Sequence, residues 1–311
     1  MESDAFRRLK NISFLGAIDY LPCYESHLKK VPRSRAEHSV RVAALACFVA
    51  EHRGYSQELT KHLVVAGLLH DIGHPPLSHS VEPYLKQHFG FGHHEMGQML
   101  LKGEPSVGKS LSKILQAELD VDFIDQLIAG QVPQDEGGDL FSSPINIDTI
   151  DGILRTLAYH PKVAIQLKPL DVAYASFIQS EKKRFDVLDE FWSLKGLVYK
   201  NIINNRDGAL ADQYSQYYFS VESGVVLDEQ SLFDDEVRWK KKFSSLFDNL
   251  KSFKTKQHPI FKEAVDIVDR VYYVVNSNDV FERFRSDKTQ KQLPIESQND
   301  CKPLQQVCMI V

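Results

Sequence analysis

An apolar run, Leu63-Val64-Val65-Ala66-Gly67-Leu68-Leu69, stops at His70-Asp71, and Gly73, Pro75 and Pro76 follow at once. The run reads as a buried helix. The glycine and the prolines break it directly after the pair. A buried helix seldom ends in His and Asp unless both side chains have partners. The chain must therefore fold so that other polar groups reach this point. His74, His79 and Glu82 lie within the next twelve residues.

The remaining pattern is almost wholly helical, so the expected fold class is all-α. Residues 37–52 form an apolar helix that Ser34 can cap, and 57–70 a second with Ser56 as N-cap and Glu58 in its first turn. Shorter helices fall at 79–88 and 93–102, and two more within 108–130. The Gly/Pro/acid-rich stretch 133–144 reads as an exposed loop. A helix over 148–160 puts Asp148 and Asp151 about one turn apart on one side. Further helices are expected at 170–181, 184–204, 208–219, 228–252 and 258–275. The segment SVESGVVLDEQ admits a short strand or a loop. Three regions follow: a core over 1–160, a helical extension over 161–284 that completes the pocket, and a polar, flexible tail over 285–311.

Composition narrows the partners. A net charge of −5 offers no global attraction to nucleic acid or anionic membrane, so a phosphate-binding surface must be a local pocket. The basic clusters RWKKK (238–242) and KSFKTK (251–256) read as solvated helix faces. No stretch reaches membrane-span length, and the first residues lack the apolar core of a signal peptide. Cys23, Cys47, Cys301 and Cys308 show no CxxC spacing, which suits a reducing cytosol. The ending Cys308-Met-Ile-Val matches a prenylation box superficially, but the final Val and the lack of nearby upstream basic residues argue against it. The expected location is cytoplasmic.

His38, His70, Asp71 and Asp148 make a spaced H…HD…D set. Two imidazoles and two carboxylates suit one divalent ion of intermediate hardness, such as Mn²⁺, Fe²⁺ or Mg²⁺. His79 and Glu82, three apart, share a helix face. A His held by a carboxylate is a suitable proton carrier near neutral pH.

The blocks S-R-A-E-H-S (34–39), A-G-L-L-H-D-I-G-H-P-P-L-S-H (66–79), H-H-E-M-G (93–97) and I-N-I-D-T-I-D (145–151), with a weaker K-G-L-V-Y-K-N-I (195–202), resemble the HD-domain phosphohydrolases. Within these they are similar to the dNTP triphosphohydrolases, which include bacterial dGTPases and the vertebrate SAM-and-HD-domain enzyme. The resemblance implies that His38, His70, Asp71 and Asp148 bind the metal and that His79 and Glu82 act as a catalytic dyad. It makes His74 and His94 phosphate-contacting histidines and Arg35 a polyphosphate contact. Lys195 and Tyr199, with Lys200, match sugar- and phosphate-contacting groups. His93 reads equally as a solvated turn histidine. The implied substrate is a nucleotide, and family enzymes are often homo-oligomers.

The chain also departs from that pattern. Gly152 stands where the vertebrate branch has a sugar-stacking Tyr, and Phe191 where an arginine is expected. Three readings therefore stay open: a dNTP triphosphohydrolase; another HD phosphohydrolase, such as a 5′-nucleotidase or cyclic-nucleotide phosphodiesterase; and a regulatory module without turnover.

Overall fold

A computed structural model describes residues 2–22, 34–157, 166–178, 184–221, 226–252 and 264–294. Helix dominates, as the patterning predicts. After a short α1 (Asp4–Arg8), α2 (Arg35–Arg53) opens at Ser34, whose hydroxyl accepts from Glu37 N–H, and closes on a left-handed Gly54. Ser56 caps α3 (Gln57–Leu69) in the same way. These two helices form the spine. A Cβ on Gly67 would meet Ala43 Cα at 3.2 Å, so the glycine lets α2 and α3 approach closely.

Next come α4 (Glu82–Phe89), α5 (His93–Lys102), α6 (Lys109–Glu118), α7 (Val121–Ile128), a single turn α8 (Asp139–Ser142) and α9 (Ile147–Leu157). The second half holds α10 (Pro169–Phe177), α11 (Phe185–Val198), one π-helical turn at Tyr199–Ile203 and α12 (Arg206–Val221). The expected helix at 228–252 is three pieces: α13 (Glu229–Leu232), α14 (Glu236–Lys242) and α15 (Ser244–Lys251). Asp228 and Asp235 each cap a new start, which explains the interruption.

Two expectations are overturned. Residues 258–275 are not helical where described: Ala264–Val274 is strand β1. The tail is not structureless: Phe284–Pro294 is strand β2, antiparallel to β1 with Ala264 opposite Pro294 and Val274 opposite Phe284. A short α16 (Val280–Arg283) joins them. The run V-D-I-V-D-R-V-Y-Y-V is rich in β-branched and aromatic residues, and that preference decides for strand. The ribbon is anchored to α11. Trp192 Nε1 donates to Arg285 O at 3.1 Å, and Arg283 makes two bonds to Asp189 at 2.7 and 2.6 Å.

The main apolar core joins Val42, Leu45 and Val49 of α2 to Leu63 of α3, Ile150 of α9, Val172 of α10 and Phe191 of α11. It therefore runs unbroken across residue 160. A second core gathers Ala17, Leu77, Tyr84, Tyr214, Trp239 and Phe247. The turn after His70-Asp71 lies between the two. The tail's last residues, 295–311, with Cys301 and Cys308, lie outside the described residues, as do Cys23 and positions 222–225 and 253–256. Among the described residues no helix is long and apolar enough to cross a membrane. In the basic cluster at 238–242, Arg238 pairs with Asp234 and Lys242 with Asp228, as a solvated helix face does.

Candidate metal centre and histidine cluster

His38, in the first turns of α2, His70 and Asp71, just past the end of α3, and Asp148, at the start of α9, converge. His38 Nε2 is 2.9 Å from Asp148 Oδ1, 3.2 Å from His70 Nε2 and 3.5 Å from Asp71 Oδ2. His70 Nε2 is 3.5 Å from Asp71 Oδ1 and 3.6 Å from Asp148 Oδ1. Adjacent ligands of an octahedral ion with bonds of roughly 2.1 Å stand about 3 Å apart, so the spacing of His38, His70 and Asp71 fits one ion, with Asp148 reaching both imidazoles from the side. The outer nitrogens are already used. His38 Nδ1 meets Asp151 Oδ2 at 2.7 Å, and His70 Nδ1 meets Gly67 O at 2.8 Å. Those contacts turn both Nε2 atoms inward, the arrangement that fixes a metal-ligating imidazole. The donor set fits a divalent cation.

The sequence analysis set Asp151 on one side with Asp148 but gave it no role. It is buried, braces His38 and is itself held by Arg155 Nε at 2.8 Å. Its signal was the spacing of three from Asp148, which puts both carboxylates toward the same histidine.

The charges are mutually supporting. Burial lowers the His70 pKa, but Asp71 and Asp148 outweigh it and push it up to about 9. Burial likewise opposes a raised His38, where Asp148 and Asp151 prevail. Burial would raise Asp71, yet Arg35, His70 and His74 hold it well below the usual carboxylate range.

Arg35 is buried, and all three of its nitrogens are engaged: Nη1 with Asp71 Oδ2 at 2.5 Å, Nε with Ser78 Oγ at 2.7 Å and Nη2 with Phe14 O at 2.9 Å. Its fork engages Asp71 and the following turn, as a residue that positions Asp71 does.

That turn carries the second cluster. Gly73 is required by close approach, because a Cβ there would lie 2.0 Å from His93 O. Leu77 and Ser78 have positive φ (61° and 50°), uncommon for side-chain-bearing residues. They aim His79 back at Glu82, Nδ1 to Oε2 at 3.0 Å. The other carboxylate oxygen of Glu82 meets His93 Nδ1 at 2.9 Å, and Lys86 Nζ lies 3.0 Å away. Burial works against ionisation of Glu82, but His79 and His93 outweigh it and keep the carboxylate charged.

The histidine that meets Glu82 here is His93, beside the expected His94. His94 is exposed, its ring 4.0 Å from that of His93. His74 is 1% exposed and stacks on His93 at 4.1 Å; burial, then Arg35 and His93, pushes its pKa well down. Neither of its ring nitrogens has a hydrogen-bond partner, although Nε2 lies 3.2 Å from Asp71 Oδ1. His74, His79 and His93 bring one nitrogen each within 4.8 Å of one another, a second set of donors that an ion could use.

Lys195 and Tyr199, expected at the substrate, lie at the end of α11 and in the π-helical turn, and Lys200 is exposed. Phe191 is fully buried core. A Cβ on Gly152 would stand 3.7 Å from the Phe14 ring, which is itself 4.8 Å from the His38 ring.

Residues 35–126 match the family model described as HD domain. A deoxyguanosinetriphosphate triphosphohydrolase-like protein of Rhodopseudomonas palustris is 34% identical over 97 residues, 30% of this chain and 21% of the relative. The deoxynucleoside triphosphate triphosphohydrolase SAMHD1 homolog of Dictyostelium discoideum is 23% identical over 301 residues, 87% of this chain and 54% of the relative. Across the curated relatives it matches, the chain spans between about a fifth and about half of their length. A hypothetical protein from Aquifex aeolicus shares the fold with a TM-score of 0.66 and 16% identity, covering 88% of this chain and 80% of that one. Residues 35–126 thus carry an HD domain with its His-Asp donors gathered, and the chain is similar to the dNTP triphosphohydrolase branch of the HD-domain phosphohydrolases.

Proposed function

We propose that the protein is a metal-dependent phosphohydrolase that converts deoxynucleoside triphosphates to deoxynucleoside and triphosphate. The observation that carries this reading is the convergence of His38, His70, Asp71 and Asp148 beside a separate imidazole cluster held by Glu82. The named relatives support the substrate class. His38, His70, Asp71 and Asp148 would hold a divalent ion (Mn²⁺, Mg²⁺ or Fe²⁺), which would polarise a phosphoryl oxygen and lower the pKa of a bound water.

The chain's own residues supply the rest. Arg35 and Asp151 hold Asp71 and His38 in place. The His79 side chain is 64% exposed, with Nδ1 on Glu82, so its Nε2 is free to carry a proton to or from the reacting oxygens. The buried His74, beside Asp71, offers an imidazole between the two clusters. Lys195 and Tyr199 take the substrate on the Asp148 side.

A second reading keeps the same residues with a different substrate. Gly152 and Phe191 lack the ring and the charge that the triphosphohydrolase branch places there, which favours a 5′-nucleotidase or cyclic-nucleotide phosphodiesterase. Stoichiometric metal together with turnover would exclude a regulatory module. Chromatography of the products from dNTPs, nucleoside monophosphates and cyclic nucleotides separates these readings. Triphosphate as product is expected, and orthophosphate from monophosphates alone would overturn the first reading. Asp71→Ala and His70→Ala are expected to lose metal and hydrolysis together while staying folded. Arg35→Gln is expected to lower metal affinity by about 10- to 100-fold, the cost of losing a partner that orients a ligand. Full activity in Asp71→Ala would remove the assignment.

A further inference from the structure

Four of the buried or half-buried arginines are met by carboxylates, Arg35 by Asp71, Arg53 by Asp139, Arg155 by Asp151 and Arg283 by Asp189, and buried Arg8 by the main-chain carbonyls of Ile72, Leu232 and Asp234. Lys195 and Arg270 are held instead by aromatic rings, and they stand side by side. Lys195 Nζ lies over the Trp192 ring at 4.5 Å and over the Tyr272 ring at 5.4 Å. The Arg270 guanidinium lies over the Tyr199 ring at 5.1 Å. The Tyr199 and Tyr272 rings are themselves 5.1 Å apart, which links the two cations through one pair of rings. Among the described residues no carboxylate lies within ion-pair distance of Lys195 or Arg270.

Aromatic faces hold a cation in place without neutralising it. The pair therefore keeps two full positive charges and unspent N–H donors in a half-buried setting. The carboxylate that acts on Lys195 is Asp148, a residue of the metal centre. Burial pushes the Lys195 ammonium down to about 8, with Asp148 acting to raise it and Arg270 to lower it further. Two cations that repel each other beside a metal centre need an anion between them. The rings cannot stack a base on the faces the cations already cover.

We infer that Arg270, carried by β1, completes with Lys195 an oxyanion subsite for those substrate phosphate groups that are not held at the metal centre. The ribbon of β1 and β2, which lies outside the matched HD domain, is then part of the substrate pocket. This rests on the phosphohydrolase reading and narrows it, since a subsite of this kind favours a polyphosphate chain over a single phosphate. Guanidinium offers two parallel bonds to phosphate, and lysine a point charge.

Inorganic tripolyphosphate and orthophosphate are the probes, titrated calorimetrically into the protein as purified, with its metal content measured. Tripolyphosphate is expected to bind more tightly than orthophosphate. Arg270→Gln, which keeps much of the stem over Tyr199, is expected to weaken tripolyphosphate about tenfold and orthophosphate less than twofold, with metal content unchanged. Arg270→Lys recovers part of the loss, and it also serves if the glutamine variant does not fold. With a nucleoside triphosphate, Arg270→Gln is expected to raise KM about tenfold and leave kcat within about threefold. Wild-type affinity for tripolyphosphate in Arg270→Gln, or no binding by the wild type, overturns the subsite. If no dNTP is hydrolysed but tripolyphosphate binding still depends on Arg270, the subsite stands and the triphosphohydrolase reading falls. If dNTPs are hydrolysed and Arg270→Gln changes nothing, only the subsite falls.

Discussion

Ser80 donates its hydroxyl to Asp212 Oδ1 at 2.5 Å, and Ala17 N–H donates to the same hydroxyl at 2.9 Å. Burial pushes the Asp212 pKa up to about 6, with Ser80 and His79 acting against it. A carboxyl with a raised folded pKa prefers its proton in the fold. Well below the ordinary value of 3.8 both states hold that proton and nothing is lost; as pH rises from there through 6 the folded state must take on the charge, and stability falls. Asp212→Asn keeps an acceptor for Ser80 and removes the charge. It is expected to stabilise the protein at pH 8 by on the order of 2 kcal/mol, an advantage that shrinks toward zero as pH is lowered to 4. Urea melts across that range check it, and a pH-independent difference would show that desolvation of the charge is not the cause. At this scale the sequence was informative about which residue types gather and poor about direction. The spacing of His38, His70, Asp71 and Asp148 anticipated their meeting. It could not say whether Arg35 faces solvent or Asp71, nor which of His93 and His94 turns inward, because adjacent residues on a helix start differ only in where the chain enters.

The turn at Leu77-Ser78 is the element on which the His79 side of the site depends. Its left-handed backbone is held from three directions. Arg35 Nε donates to Ser78 Oγ, which donates to Ser13 O at 2.8 Å, and Leu77 N–H donates to Glu236 Oε1 at 3.0 Å. Buried Glu236 also accepts from Ser13 N–H at 2.9 Å, from Ser13 Oγ at 2.6 Å and from the Tyr20 hydroxyl. Glu236→Ala leaves two main-chain N–H groups without their partner and is expected to cost about 3–5 kcal/mol, the scale for breaking a buried charged network. Chemical denaturation gives the number, and a loss below 1 kcal/mol would mean that water replaces the carboxylate. Nothing in the local text E-V-R-W-K-K-K marks Glu236 as buried, since an acidic residue in a first turn is ordinary on a surface. The ribbon of β1 and β2 was misread for the opposite reason. Its strand preference was legible in V-D-I-V-D-R-V-Y-Y-V, but a polar partner strand held by main-chain bonds has no apolar signature.

The whole molecule is more interdependent than its motif blocks suggest. The matched segment 35–126 holds His38, His70, Asp71, His74, His79, Glu82 and His93. Asp148 and Asp151 come from α9, Phe14 from the start of the chain, Glu236 from α14 and Arg270 from β1. The main core likewise draws Ile150, Val172, Phe191 and Trp192 from beyond residue 126. An excised 35–126 fragment is therefore expected to show no cooperative thermal transition and to retain no stoichiometric metal; a sharp transition with bound ion would contradict this. The all-α class and the helical spine were readable from periodicity alone, since α2 and α3 are long, capped and apolar. How the second half wraps onto them was not, because those contacts are set by packing between distant segments.

Leu77 and Glu236 are 159 residues apart in the chain, and their hydrogen bond fixes the order in which the site matures. Local pairings such as α2 on α3 close short loops and form early, whereas a contact of that separation waits on loop closure. The donors of His38, His70 and Asp71 belong to the early structure. The turn that aims His79 belongs to the late one. During folding, three of the four donors draw together before the turn that directs a proton takes its shape.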